Sequence, residues 1–276
     1  MKTRKYHFNS KGICLMLAVS TALVTGSAFA GIFNTKHNLG QTGINAASNF
    51  DGTSEICVFC HTPHGGDATA AVPLWNRNLD PGGFQTYDQL GTTTLDAKIE
   101  PIGSVSIACL SCHDGTQAMD SLINEPGSGA DNPAFSNANW TGQAATAGGR
   151  IGPPTVITNL GKDLTNDHPI SVQFAGGGYS ISNPTGPGRD PDFHQADSKI
   201  MGTTRAWWVN TTEGTADFER TDMKLYTRVG TRGAFAGEPQ PYVECASCHD
   251  PHVDYNPTFL RINPVGSAVC LTCHNK

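Results

Sequence analysis

The chain has 276 residues, carries a formal charge of −6, and only 15% of its residues are charged. An acidic balance argues against nucleic acid and anionic membrane surfaces as partners, and suits mineral, metal-ion or basic protein partners. With 31 glycines and 17 prolines, the composition favours turns and irregular backbone over long helices.

The first element is a leader. Lys2, Arg4, Lys5 and Lys11 give a positive start without an acid, and an apolar run from Ile13 to Val24 follows. The run ends in Gly26-Ser27-Ala28-Phe29-Ala30. Residues 1–30 therefore read as a Sec-type signal cut after Ala30, since the apolar run is too short to span a bilayer. Cys14 and His7 leave with it. The mature protein is then residues 31–276, expected as a single domain, and losing four basic residues takes its formal charge from −6 to −10. No later stretch is apolar enough to cross a membrane, so an extracellular or cell-surface protein is expected, with the periplasm as the alternative.

His37 comes next, in Thr35-Lys36-His37-Asn38-Leu39. Four repeats of one motif follow: Cys57-Val58-Phe59-Cys60-His61, Cys109-Leu110-Ser111-Cys112-His113, Cys245-Ala246-Ser247-Cys248-His249 and Cys270-Leu271-Thr272-Cys273-His274. They absorb all eight mature cysteines. Two thiols three positions apart on one turn can both add to the vinyl groups on one edge of a porphyrin. The histidine that follows then stands under the iron as its proximal ligand. Four disulfides would give no reason for a histidine after every second cysteine. Paired zinc knuckles would leave those histidines redundant. The cofactor read from the sequence is thus four covalent haem c groups.

Each motif is expected on a short helical turn, stopped at Asp114-Gly115 and at Asp250-Pro251. Only residues 250–269 separate the last two motifs, which must lie close together. The region from about 120 to 240 is rich in Gly and Pro, with Thr155–Leu160 and Ile170–Phe174 as candidate strands. Trp140, Trp207 and Trp208 indicate that this region packs, on haem edges or in an ordinary core. The fold class is a multihaem cytochrome c, mostly coil with short helices and few short strands, built around a chain of four haems.

Sixth ligands are available in number. Beyond the four motif histidines the mature chain keeps His37, His64, His168, His194 and His252, so nine histidines face the eight that four bis-His irons require. His64 and His252 each lie three residues past a proximal histidine and after a proline, where reaching a neighbouring haem is easier than reaching their own. His168 sits in the turn-like Asn166-Asp167-His168-Pro169. His194 reads as an exposed loop residue, and Met119, Met201 and Met223 read as packing.

The strings TKHNLG, CVFCHTPHGG, VPLWNRNL, CLSCHDGTQA, DLTNDHPIS, VECASCHDPH and FLRINPVGSAVCLTCHNK together resemble the multihaem c-type cytochromes of metal-respiring bacteria. In particular the chain is similar to the tetrahaem, OmcE-type family that polymerises into extracellular filaments, or nanowires. The resemblance implies bis-His ligation throughout, with His64, His168 and His252 as distal ligands. It also implies a homopolymer in which a histidine of one subunit ligates a haem of the next, a role that falls to His37 near the mature start. The expected function is electron transfer to external acceptors in anaerobic respiration, with redox proteins or minerals as donors and acceptors, and not an enzyme's bond-making chemistry. The alternatives are a soluble periplasmic tetrahaem shuttle and, with an open haem site, a multihaem oxidoreductase.

Overall fold

The structure is a computed structural model that describes residues 31–45, 48–80, 82–126, 135, 139–212, 214–215 and 217–275. The expected leader lies outside the described residues.

Regular structure is sparse and short. The described residues include four α-helical pieces: α1 (Ser104–His113), α2 (Gly142–Thr146), α3 (Cys245–Cys248) and α4 (Ala268–Cys273). Three of them hold a cysteine motif, and a 3₁₀ turn at Cys57–Phe59 holds the fourth. Breakers stop α1 at Asp114-Gly115 and α3 at Asp250-Pro251. After α1, Asp114 caps the last turn and Gly115 takes φ +69°, a conformation that suits glycine.

The Gly/Pro-rich middle contains more strand than its composition announces. Five antiparallel strands, β1 (Val172–Gln173), β2 (Asp197–Met201), β3 (Thr204–Val209), β4 (Met223–Val229) and β5 (Pro239–Val243), form one sheet in the order β1-β5-β4-β3-β2. The β2–β3 hairpin turns on two residues, Gly202 and Thr203, with Met201 opposite Thr204 and Gly202 at φ +63°, as tight hairpins require. Of the two candidate strands, residues 170–174 contain β1. Thr155–Leu160 is a run of turns instead, because Pro153 and Pro154 start it and Val156 N–H closes back onto Pro153 O at 2.8 Å.

Alternation in β3 and β4 decides what the sheet covers. Trp207 pairs with Leu225 and Val209 with Met223, and all four point into a core shared with Phe174, Tyr179 and Val243. Burying each large apolar side chain there contributes about 1.5–3 kcal/mol. Cys248 and Cys273 pack against the same core. Trp207 lies in this core, and Trp208, on the opposite face of β3, is buried against Phe218. Trp140 belongs to a second cluster with Phe50, Phe59 and Met119, where Cys60 and Cys112 also pack. No helix among the described residues is long and apolar enough to cross a membrane.

Candidate haem sites

Three of the four motifs hold their histidines by a common device. At site 1, His61 Nδ1 donates to the carbonyl of Pro73 at 2.8 Å. At site 2, His113 Nδ1 donates to Thr158 O at 2.7 Å, and at site 3, His249 Nδ1 donates to Thr258 O at 2.7 Å. Engaging Nδ1 in this way fixes the ring and its tautomer and leaves Nε2 as the free lone pair, the arrangement of a metal-ligating imidazole.

Sites 1 and 3 achieve it with the same local fold. The chain leaves CxxCHxPH, loops, and returns as an extended segment antiparallel to the histidine, bridging His61 to Trp75 and His249 to Leu260. Thr62 N–H then reaches Leu74 O, as Asp250 N–H reaches Phe259 O; Asn76 N–H reaches Cys60 O, as Arg261 N–H reaches Cys248 O. Leu74 and Phe259, at matching places, both take positive φ, +53° and +62°. Such strain persists only where its surroundings impose it; here it aims a carbonyl at the histidine. Site 2 lacks the short return and borrows its carbonyl from residue 158, with Leu160 N–H closing on His113 O at 2.7 Å.

Imidazoles face these histidines. The ring of His252 lies 6.3 Å from that of His61, 12° from parallel. The ring of His37 lies 6.2 Å from that of His113. An imidazole bound through one nitrogen at about 2 Å has its ring centre about 3 Å from the metal, so two rings sharing one iron stand about 6 Å apart. Both pairs fit. His252 is oriented by Asp250, whose carboxylate is 3.5 Å from Nδ1, and His37 by the Pro251 carbonyl, 3.1 Å from Nδ1. His37 also stacks on Phe259, ring centres 4.2 Å apart. Burial lowers the pKa of His37 to about 4 and lowers that of His113, which keeps both rings neutral and ready to ligate.

At site 4, His274 and His168 line one cavity of about 150 Å³ with Cys270 and Cys273. Met223 and Leu225 of the sheet and Phe193 form its apolar wall. His168 Nδ1 is turned to Pro169 O at 2.9 Å. The methionines behave as packing there: Met223 is a wall residue, Met119 is buried in the second cluster, and Met201 is exposed.

The remaining histidines are not brought together. His249 faces no second imidazole among the described residues in the way His61 and His113 do. His64 and His194 are exposed.

The eight motif cysteines are not paired with one another. Among the described residues no three His, Cys, Asp or Glu side chains converge on one ion position. The thiols instead run in a spatial order that matches the chain. Cys60 and Cys112 pack on one cluster, Cys109 neighbours Cys245, and Cys248 and Cys273 share the sheet core. Burial pushes the Cys60 and Cys273 thiols up to about 12 and that of Cys248 up to about 11, so these groups are uncharged as thiols. The buried indole N–H groups of Trp75 and Trp140 lack a protein acceptor, leaving two donors beside sites 1 and 2 that the polypeptide does not match.

Sequence reasoning named the ligand types but missed Asn76, Arg77 and Arg261. Each hydrogen-bonds the backbone of a cysteine turn, from a place in the sequence that carries no signal of it.

A family model described as a doubled CXXCH motif matches residues 240–276, the stretch holding sites 3 and 4. No curated protein matches the chain. The doubled motif indicates covalent haem c and a multihaem c-type cytochrome, and with it haem-based electron transfer.

Proposed function

We propose that the chain carries four covalent haems and serves as a subunit of an extracellular cytochrome filament of the OmcE type, passing respiratory electrons to external acceptors. The observation that carries the haem reading is the pair of facing imidazoles, His61 with His252 and His37 with His113, each at the separation one iron needs. A bound haem supplies one-electron exchange between ferric and ferrous iron, at the low potentials that bis-His ligation favours.

The polypeptide fixes the rest. Carbonyls at Pro73, Thr158 and Thr258 set the proximal rings, and the Asp250-Pro251-His252 segment serves two sites at once by facing His61 and holding His37. The sheet supplies Met223, Leu225 and Val243 to the apolar wall of site 4. His168 is the ligand we assign to that site's iron.

The filament rests on an imbalance. Among the described residues His249 has no facing imidazole, while His64 and His194 are exposed. The resemblance gave His37 the crossing role, but its place between Pro251 and His113 favours an iron of its own subunit. We assign the crossing to His64, which follows His61 as His252 follows His249. Cryo-electron microscopy of haem-staining material from cells expressing the chain tests this. Filaments with an imidazole from one subunit opposite His249 of the next support it. Single particles carrying four haems leave a soluble periplasmic shuttle. The same imbalance favours a second reading, an open iron at site 3, which carbon monoxide binding to the reduced single subunit would reveal.

A further inference from the structure

The backbone between the two cysteines of a motif would border a haem those cysteines held, and in each of the first three motifs a side chain from elsewhere donates to it. At site 1 the neutral amide of Asn76 donates to Val58 O at 2.7 Å. At site 2 the guanidinium of Arg77 donates to Ser111 O at 3.0 Å and to Ser111 Oγ at 3.2 Å. At site 3 the guanidinium of Arg261 donates to Ala246 O from Nη2 at 3.0 Å and from Nε at 3.2 Å. Asn76 and Arg77 are consecutive, so one dipeptide clasps two sites, one with a neutral group and one with a cation.

Arg77 is fully buried. Its other bonds go to Met119 O at 2.7 Å and Ala118 O at 2.8 Å, so every acceptor it uses is a neutral oxygen. No carboxylate among the described residues lies within ion-pair distance of it. A guanidinium stays charged at any pH the fold survives, and burying it away from a counter-charge is costly. Neutral hydrogen bonds satisfy its donors without cancelling its field. Asp114 is the acid beside His113, and its carboxylate accepts bonds from the Thr116 N–H and hydroxyl. Arg261 differs: Asp250 of the same motif lies close enough for Arg261 to help hold its carboxyl low, so its field is partly offset.

We infer that Arg77 is a potential-setting residue, a cation buried among neutral acceptors that favours the reduced form of the haem at Cys109 and Cys112 and places that site above its neighbour at Cys57 and Cys60. The inference rests on the haem reading above. Reduction adds one electron to the site, here from a chemical titrant, and a fixed positive charge at short range in a low-dielectric interior stabilises the added charge.

The test is a spectroelectrochemical titration of the purified holoprotein as wild type, Arg77→Gln and Arg77→Lys, with haem content measured by mass. Arg77→Gln is expected to lower one midpoint by at least a tenfold change in the reduction equilibrium, about 59 mV for one electron. Arg77→Lys, which keeps the charge, is expected to restore most of it. Four attached haems with unchanged midpoints in Arg77→Gln would overturn the inference and leave the haem reading intact. Fewer than four haems in the wild type would sink the haem reading itself. Should Arg77→Gln fail to fold, the wild type decides: a haem at Cys109 and Cys112 that reduces below the one at Cys57 and Cys60, assigned by magnetic resonance, contradicts the inference.

Discussion

His252 stands opposite His61, 6.3 Å away and nearly parallel, although it belongs to the third motif and follows His249 by three residues. So placed, His252 ties the last third of the chain to the first cysteine motif. The N-terminal segment is tied in the same way, because Pro251 holds His37 against His113.

Replacing His252 by Ala leaves the iron at site 1 with a single protein ligand. Carbon monoxide should then bind about a quarter of the haems in the reduced protein beyond any binding in the wild type. An unchanged carbon monoxide difference spectrum would show that another side chain serves that iron.

His37 and His64 separate by role. His37→Ala should alter the spectrum of one haem within each subunit while filaments still form. His64→Ala should leave the subunit loaded and prevent filaments, read by electron microscopy of sheared material. The reverse pattern would return the crossing role to His37.

Gly115 takes φ +69°, and a methyl group there would lie 2.5 Å from the Asn159 side chain. Asn159 follows Thr158, whose carbonyl holds His113. Gly115→Ala should therefore cost about 1–3 kcal/mol in urea unfolding and broaden the spectrum of the site 2 haem. A neutral effect would mean that the turn shifts without disturbing the histidine.

Glu244 sits just before Cys245 and accepts bonds from Arg228 at 3.0 Å and Ser171 at 3.2 Å. Burial raises its pKa above the ordinary 4.5 despite these partners. An acid raised in the folded state binds its proton more tightly there than when unfolded. Its contribution is thus most favourable below the ordinary value, and stability is lost as pH climbs through the raised one. Melting temperatures from about pH 4 to about pH 8 should show this decline, and Glu244→Gln should flatten it. Equal slopes in both proteins would assign the decline to other groups.

The attachment chemistry was legible because CxxCH spacing is local: Cys and His on one turn need no tertiary information. The helical turns and the stops at Asp114-Gly115 and Asp250-Pro251 were legible for the same reason. The pairing of rings was not, since nothing in the spacing of His252 names His61 as its partner. The sheet was underestimated because β2, β4 and β5 are short and interrupted by Lys, Arg and Pro. Their apolar positions become a pattern only when Trp207 meets Leu225 across the ladder. Thr155–Leu160 read as a strand from its β-branched residues, and the two prolines before it turned the backbone instead. Arg77 looked like any charged residue in a polar stretch, and only its four neutral acceptors reveal a buried cation.

The most direct test is a density map of the haem-loaded protein, resolved well enough to trace each iron to its two ligands. The account predicts one iron between His61 and His252, one between His37 and His113, one between His168 and His274, and a fourth on His249 completed from outside the chain. An iron joining His61 to any other residue, or His249 ligated by His64 of its own chain, would contradict it.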